Sequence, residues 1–480
     1  MRNYLAWAVL IGLSLSFATR AQTPAASVTG RVTDASKSAV AQATVRIRSI
    51  TTGEARQADS GIGGEFTITN LAPDKYELFV EKSGFRNLHQ TGIELQVDQT
   101  ARFELQLEVG AIQQTVEVTA NVPLLNTENA TKGDVVITQE ISEMPLNGRS
   151  FSDLAYMVPS VEPSAQGGDG SGFNIGGARA DQTNFVIDGF QSRNSRGGGT
   201  QAAANLDAIQ EFKMQTTGYP AEQGRLAGGV LNTVLKTGGN TPHGTLFEFL
   251  RNDYVDARNF FSLSNPPLRR NQFGAMLSGP VWVPKVYRGR DRTFFLVSWE
   301  SFRQTQGQTR LTSVPTELQR TGDFSQTKDA KGATVLLLDP LAMGSCTATV
   351  KTACFPGNLL PASRIDPAAQ KLFAYYPHPT FPGQGNNLLA SGSVRSPWDG
   401  FVFKVDHRAS DKDSLSFRYM PRSTDSSDPF AGGSSSGFEL GIFGEKRAQN
   451  TPFLGMSYTR VFTPTFLNEF RMGFSRFTSA

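Results

Sequence analysis

The sequence predicts a mainly β protein in successive units, the last of which crosses a membrane as antiparallel strands. Three observations lead there. Period-two alternation of apolar and polar residues recurs in short runs near the N-terminus, and again in runs of about ten residues toward the C-terminus. The chain holds 47 glycines and 34 phenylalanines among its 480 residues, as expected of strands joined by many turns. Beyond the first residues no apolar run reaches the roughly 20 residues that a spanning helix needs, so an exported chain would be soluble or insert as a barrel.

Composition removes several function classes. The formal net charge is +3, with acids and bases interspersed, so no basic face argues for nucleic acid. The mean hydropathy of −0.28 is compatible with a membrane barrel, whose strands alternate and never build a long apolar run. At the start, Arg2 precedes an apolar core over residues 5–17, and Thr19-Arg20-Ala21 offers small residues. Residues 1–21 therefore read as a secretory signal peptide, cleaved near Ala21 and Gln22. In an exported chain Cys346 and Cys354 read as a local disulfide, and without a neighbouring His they make a poor metal site.

Residues 26–109 form the first unit. Val45 and Ile47 alternate with Thr44, Arg46 and Arg48; Phe66 and Ile68 alternate with Thr67 and Thr69. Phe103, Leu105 and Leu107 do the same with Arg102, Glu104 and Gln106. Half-buried strands at this spacing, separated by Thr52-Gly53, Pro73-Asp74 and Ser83-Gly84, predict a small sandwich. Gly30-Arg31-Val32-Thr33-Asp34, Ala43-Thr44-Val45, Gly64-Glu65-Phe66, Leu71-Ala72-Pro73, Tyr76 and Gly84-Phe85 together resemble the carboxypeptidase regulatory-like domain. That resemblance implies a seven-stranded, transthyretin-like β-sandwich of the carbohydrate-binding-like fold. It implies no peptidase chemistry, because zinc needs clustered His and Glu ligands, whereas His89 stands alone and reads as a surface residue.

Residues 115–239 form the second unit, which opens on a polar stretch over 121–132 and then turns Gly-rich. A phosphate loop is excluded, since no Gly-Lys-Ser/Thr follows these glycines; tight turns packed inside a barrel lumen explain them. Asn147-Gly148-Arg149-Ser150-Phe151, Ile175-Gly176-Gly177-Ala178-Arg179 and Asn184-Phe185-Val186-Ile187-Asp188-Gly189 follow in order. Ala208-Ile209-Gln210-Glu211-Phe212 and Ala227-Gly228-Gly229-Val230-Leu231-Asn232 complete the set. In combination these resemble the plug domain of TonB-dependent outer-membrane receptors, of the Oar-like subtype that carries the same N-terminal sandwich. The resemblance implies an α+β plug. One departure is Gly176, where many plugs have Arg.

Residues 241–480 read as the N-terminal part of a transmembrane antiparallel β-barrel. Phe401, Phe403 and Val405 alternate with Lys404 and Asp406, and Leu415, Phe417 and Tyr419 with Ser416 and Arg418. In the last strand Phe466, Phe470, Met472 and Phe474 oppose Glu469, Arg471 and Ser475. Apolar-out, charged-in alternation is the barrel pattern, although a soluble sheet with one buried face would look the same locally. Ser410-Asp411-Lys412-Asp413 reads as a short periplasmic turn, and 304–396 as a long irregular extracellular loop. Phe249-Leu250-Arg251-Asn252-Asp253 and Arg270-Asn271-Gln272-Phe273-Gly274 resemble the Oar-like barrel start. About six to ten strands fit here, against roughly 22 for a barrel that holds a plug, so this chain alone is expected not to close one.

Thr115-Val116-Glu117-Val118-Thr119, between the first two units, is similar to the TonB box of this family. The alternative is the last strand of the sandwich, or a linker. The resemblance implies import of a large extracellular solute, with a TonB-type energy-coupling protein and outer-membrane lipid as partners. Carbohydrate, siderophore and peptide stay open as the solute, and no cofactor is expected. A second function class is a surface glycan- or peptide-binding protein merely anchored by a barrel. A third, a secreted hydrolase, lacks support: no nucleophile elbow or zinc motif is present, and His89, His243, His378 and His407 are scattered.

Overall fold

A computed structural model of the chain describes residues 25–110, 115–119, 131–144, 146–164, 173–194, 198–219, 223, 226–258, 260, 265–430, 444–463 and 466–480. The signal segment 1–21, with Ala21 and Gln22, lies outside the described residues.

The first unit is a sandwich of strands β1 (Ala26–Asp34), β2 (Thr44–Ser49), β3 (Ala55–Asp59), β4 (Glu65–Leu71), β5 (Asp74–Glu81), β6 (Asn87–Leu95), β7 (Thr100–Leu107) and β8 (Thr115–Thr119). One sheet runs β4-β1-β7 and the other β3-β2-β5-β6-β8. Alternation decides which side chains fill the space between them: Val45, Ile47, Leu78, Val80, Phe103 and Leu105 are all buried. Seven strands lie within 26–109 as expected, and Thr115–Thr119 adds an eighth beyond them, pairing in parallel with β6 at the sheet edge, Val116 opposite Leu88. His89 is half-buried instead of exposed, since its ring stacks on Phe79 at 4.4 Å.

The second unit contains β9 (Lys132–Ile137), a helix over Thr138–Glu143, β10 (Val161–Pro163), β11 (Phe173–Ile175), β12 (Asn184–Ile187), β13 (Phe190–Gln191), β14 (Ile209–Thr217) and β15 (Val230–Leu235). Its main sheet runs β13-β12-β15-β14-β9. Both faces of β12 and β15 are buried, which explains why neither shows apolar–polar alternation.

The third unit is one curved sheet. Its main path joins β16 (His243–Asn252), β17 (Leu268–Pro280), β20 (Thr293–Thr312), β21 (Leu388–Arg395), β22 (Trp398–Arg408), β23 (Asp413–Met420), β24 (Arg422–Asp428), β26 (Phe453–Thr463) and β27 (Phe466–Ser475). β25 (Glu445–Asn450) and β28 (Thr478–Ser479) pair beside it, and because β21, β24, β25 and β28 continue β22, β23, β26 and β27 across breaks of one or two residues, the wall has seven long antiparallel strands among the described residues, within the expected range. A separate hairpin, β18 (Trp282–Val283) and β19 (Tyr287–Arg288), links β17 to β20.

One sequence expectation is corrected here. Residues 304–396 are not irregular throughout, because β20 runs on to Thr312 and pairs with β21 from Thr305–Arg395 to Thr312–Leu388. The β20 half of this stem, Thr305 to Thr312, is polar apart from Leu311, so it shows no apolar alternation to read, although Leu388 and Ala390 opposite it are buried with Val314 and Phe430. The segment beyond it carries short helices, including Pro367–Phe373, and projects from one end of the wall. The tight Ser410–Asp413 turn closes the opposite end.

Candidate functional site

Alternation gives the wall two unlike faces. Phe401, Phe403, Val405, Leu415, Phe417, Phe470, Met472 and Phe474 all stay exposed on its outer face. The alternate residues Val402, Lys404, Arg418 and Met420 are buried against the second unit. That unit therefore occupies the concave side, and an apolar cluster joins its Phe185, Ile187 and Phe212 to Met276, Leu296, Val402 and Phe453 of the wall.

A polar contact dominates the centre. The turn after β12 presents Asp188 at φ 47° and Gly189 at φ 79°. Asp188 Oδ2 lies 3.0 Å from Arg418 Nη1 and 3.4 Å from Lys404 Nζ, and all three side chains are buried. The Leu235 backbone N–H donates to Asp188 Oδ1 at 2.9 Å. Arg418 Nη1 donates to the Asp188 carbonyl at 3.1 Å, and Arg471 Nη1 to the Gly189 carbonyl at 3.0 Å. The φ of 79° favours glycine at 189, and a Cβ there would also push against the Arg471 guanidinium. A carboxylate this deep is stable only with such partners. Its strands explain the convergence: Lys404, Arg418 and Arg471 sit on β22, β23 and β27, all on the inward register.

Further toward the long-loop end, Arg149 pairs with Asp207 and lies 3.7 Å from Glu300 Oε1 on the wall, while covering the Phe247 ring at 4.2 Å. Asn147 Oδ1 accepts from Arg270 at 2.5 Å and Arg251 at 3.1 Å. At the other end a cavity of about 280 Å³ opens between the three units. Asp188, Lys404, Arg418, Glu469, Arg471 and Tyr76 are among its lining.

The sandwich docks through the turn after β6. The Val97 backbone N–H donates to Glu211 Oε1, and Lys213 Nζ donates to the carbonyls of Val97 and Asp98, each at 3.3 Å. Asp98 Oδ2 accepts from Asn232 at 2.9 Å and Gln215 at 3.1 Å. Burial raises the carboxyls of Asp98 and Glu211, the latter to about 7, and lowers the Lys213 ammonium.

The structure places the sequence-derived candidates as follows. Thr115, Val116, Glu117, Val118 and Thr119 form the edge strand β8, extended and paired on one side, with Glu117 Oε1 3.9 Å from His89 Nδ1. Cys346 and Cys354 are bonded, with Cα atoms 4.9 Å apart, in the long-loop segment. These two sets lie on different units and are not brought together with the Asp188 contact. Sequence reasoning misses Asp98 and the pairing of Asp188, although one acid inside Phe185-Val186-Ile187-Asp188-Gly189 is itself the sign of a buried, partnered charge. Gly176, the departure from the plug pattern, adopts φ 58°, a backbone in which Arg would be strained. No group of three or more His, Cys, Asp or Glu that could hold a metal occurs among the described residues.

Comparison with known proteins agrees with this arrangement. Residues 234–480 match the outer membrane beta barrel domain family, residues 27–108 the carboxypeptidase regulatory-like domain, and residues 126–230 the TonB-dependent receptor plug domain. The TonB-dependent transporter Oar of Myxococcus xanthus is 25% identical over 296 residues, which cover 58% of this chain and 27% of that protein. The chain thus spans about a quarter of the length of this curated relative. Among solved structures, the outer membrane transporter YddB of Escherichia coli matches with a TM-score of 0.39 and 11% identity, over 68% of this chain and 36% of its own. The ferric enterobactin receptor of Pseudomonas aeruginosa gives 0.41 and 14%, over 72% and 41%.

Proposed function

Since the chain belongs to the TonB-dependent outer-membrane receptors, we propose that it serves to import a large extracellular solute into the periplasm with energy passed from a TonB-type partner. The observation that carries this reading is the plug held on the concave face of the wall by buried ion pairs to Asp188. A polar latch of this kind has partners that water can replace once the turn is displaced, which suits a plug that must be remodelled and restored. The charged cavity beside the latch lies on the side from which solute would leave. The solute is an oligosaccharide, siderophore or peptide, bound first at the loop end where Asn147 meets Arg251 and Arg270.

Thr115–Thr119 is the coupling segment in this reading. A strand that must accept a partner strand has to be extended with one edge open, and β8 is the last strand of its sheet. Val118→Pro tests this, because proline fixes φ and removes a backbone donor. The variant is expected to lose solute uptake, and photo-crosslinking from position 116 to the TonB-type partner, while outer-membrane abundance stays normal. Undiminished uptake, or failure to fold, would remove the coupling role from this segment. Intact binding with no uptake by the unaltered protein would favour an anchored surface binder instead.

A further inference from the structure

The β18–β19 hairpin is unlike the Ser410–Asp413 connection at the same end, which is short and polar. It carries Trp282, Val283 and Val286, which are 68%, 45% and 81% exposed. Lys285, Arg288 and Arg290 are interleaved with them and are also exposed. None of these three cations is in an ion pair among the described residues. The one nearby acid, Asp291, is occupied otherwise, accepting from Asn240 Nδ2 at 2.6 Å.

The hairpin tip adds an independent observation. The Val286 N–H donates to the Val283 carbonyl at 3.1 Å across Pro284-Lys285, and Lys285 adopts φ 64°. A turn with proline first and a left-handed second residue favours glycine or asparagine at that second place. Here the sequence sets a lysine in it, which keeps a cation at the point of the hairpin despite the backbone cost.

We propose that this hairpin is a docking surface for anionic phospholipid headgroups of the periplasmic leaflet. Position favours lipid over a protein partner. The hairpin issues directly from β17 and β20, whose outward Leu277 and Val297 are exposed as part of the apolar band. The Tyr287 hydroxyl meets Thr293 Oγ1, which in turn meets His407 Nδ1 at 2.7 Å. Thr293 and His407 are paired on the outward register below Phe295 and Val405, so this contact holds the hairpin against the lipid side of the rim. An arm of four residues at about 3.3 Å each reaches no farther than the headgroup layer and its immediate edge. Indole and valine side chains suit that boundary, and unpaired Lys and Arg suit phosphate-bearing, negatively charged headgroups.

Trp282 is the reporter. The mature full-length protein, with every tryptophan other than Trp282 changed to Phe, including Trp299 and Trp398, is reconstituted in mixed phosphatidylethanolamine and phosphatidylglycerol vesicles, with bromine on the tails of one lipid or the other. Quenching of Trp282 by brominated phosphatidylglycerol is expected to exceed its mole-fraction share by about fivefold, the preference one cation near such a surface gives. The triple variant Lys285→Gln, Arg288→Gln, Arg290→Gln should remove the preference and keep the quenching. Because the Trp substitutions could disturb folding, lipids retained by the unaltered protein are also counted by native mass spectrometry. The unaltered protein should keep more phosphatidylglycerol than the triple variant. Quenching in proportion to mole fraction, no quenching by either lipid, or equal lipid retention would each overturn the proposal.

Discussion

At the scale of single residues, Asp188 concentrates the logic of the plug. Its carboxylate is surrounded by Lys404, Arg418 and the Leu235 N–H, and removing it leaves the buried Arg418 without a carboxylate and Lys404 with only Asp406, at 3.6 Å. Breaking a buried pair from one side typically costs about 3–5 kcal/mol, far more than an exposed pair would. Asp188→Ala is therefore expected to lower the urea midpoint of the detergent-solubilised protein, while Asp411→Ala in the exposed turn leaves it in place. An unchanged midpoint in Asp188→Ala would mean that the carbonyl contacts of Arg418 and Arg471 hold the turn without the carboxylate.

Single elements show why two neighbours in one strand have opposite tolerances. In β27, Met472 is exposed on the lipid side and Arg471 reaches inward to Gly189 and Glu469. Arg placed on the lipid face costs about 2–4 kcal/mol near mid-membrane. Met472→Arg should block assembly, scored as loss of heat-modifiable protein in the outer membrane, whereas Arg471→Ala should assemble with a plug more open to protease. Equal assembly of both would show that the faces are wrongly assigned. In the long-loop segment, the Cys346–Cys354 bond closes a short ring around the Thr347–Val350 turn. By chain entropy so small a ring contributes about 2–3 kcal/mol. Cys354→Ser should raise hydrogen exchange over residues 339–355 and leave β20 and β22 protected; a loss of protection in the wall would show that the bond supports the barrel itself.

For the whole molecule, the sandwich and plug meet through a contact that buries the carboxyls of Asp98 and Glu211. The docked state raises Glu211 from an ordinary value near 4.5 to about 7, through burial. A group whose value is raised on docking favours the docked state fully below its free value and loses that support as pH rises through the docked one. Docking should therefore weaken between about pH 5 and 7, by at most about 3 kcal/mol. Asp98 shifts in the same direction, whereas burial lowers the Lys213 ammonium, which acts in the opposite sense and favours docking as pH rises. Hydrogen exchange at residues 96–99 should be faster at pH 8 than at pH 5.5, beyond the intrinsic dependence of exchange, and Glu211→Gln should flatten the difference. A wild-type contact indifferent to pH would remove Glu211 from the docking energetics.

The sequence by itself determined what depends on neighbours along the chain. Period-two alternation settled which side of β22, β23 and β27 meets lipid, and turn residues separated the sandwich strands. Ordered motifs such as Asn184-Phe185-Val186-Ile187-Asp188-Gly189 marked the plug. Pairing between distant segments is visible only in the folded chain. Thr115–Thr119 looks the same as linker or strand until β6 is beside it, and the stem at 305–312 has no apolar face to betray its partner at 388–395. Asp188 finds Arg418 across 230 positions and Asp98 finds Asn232 across 134. Local pattern records burial and period, whereas a hydrogen-bond or charge partner is chosen by where the chain returns in space, which no window along the sequence contains.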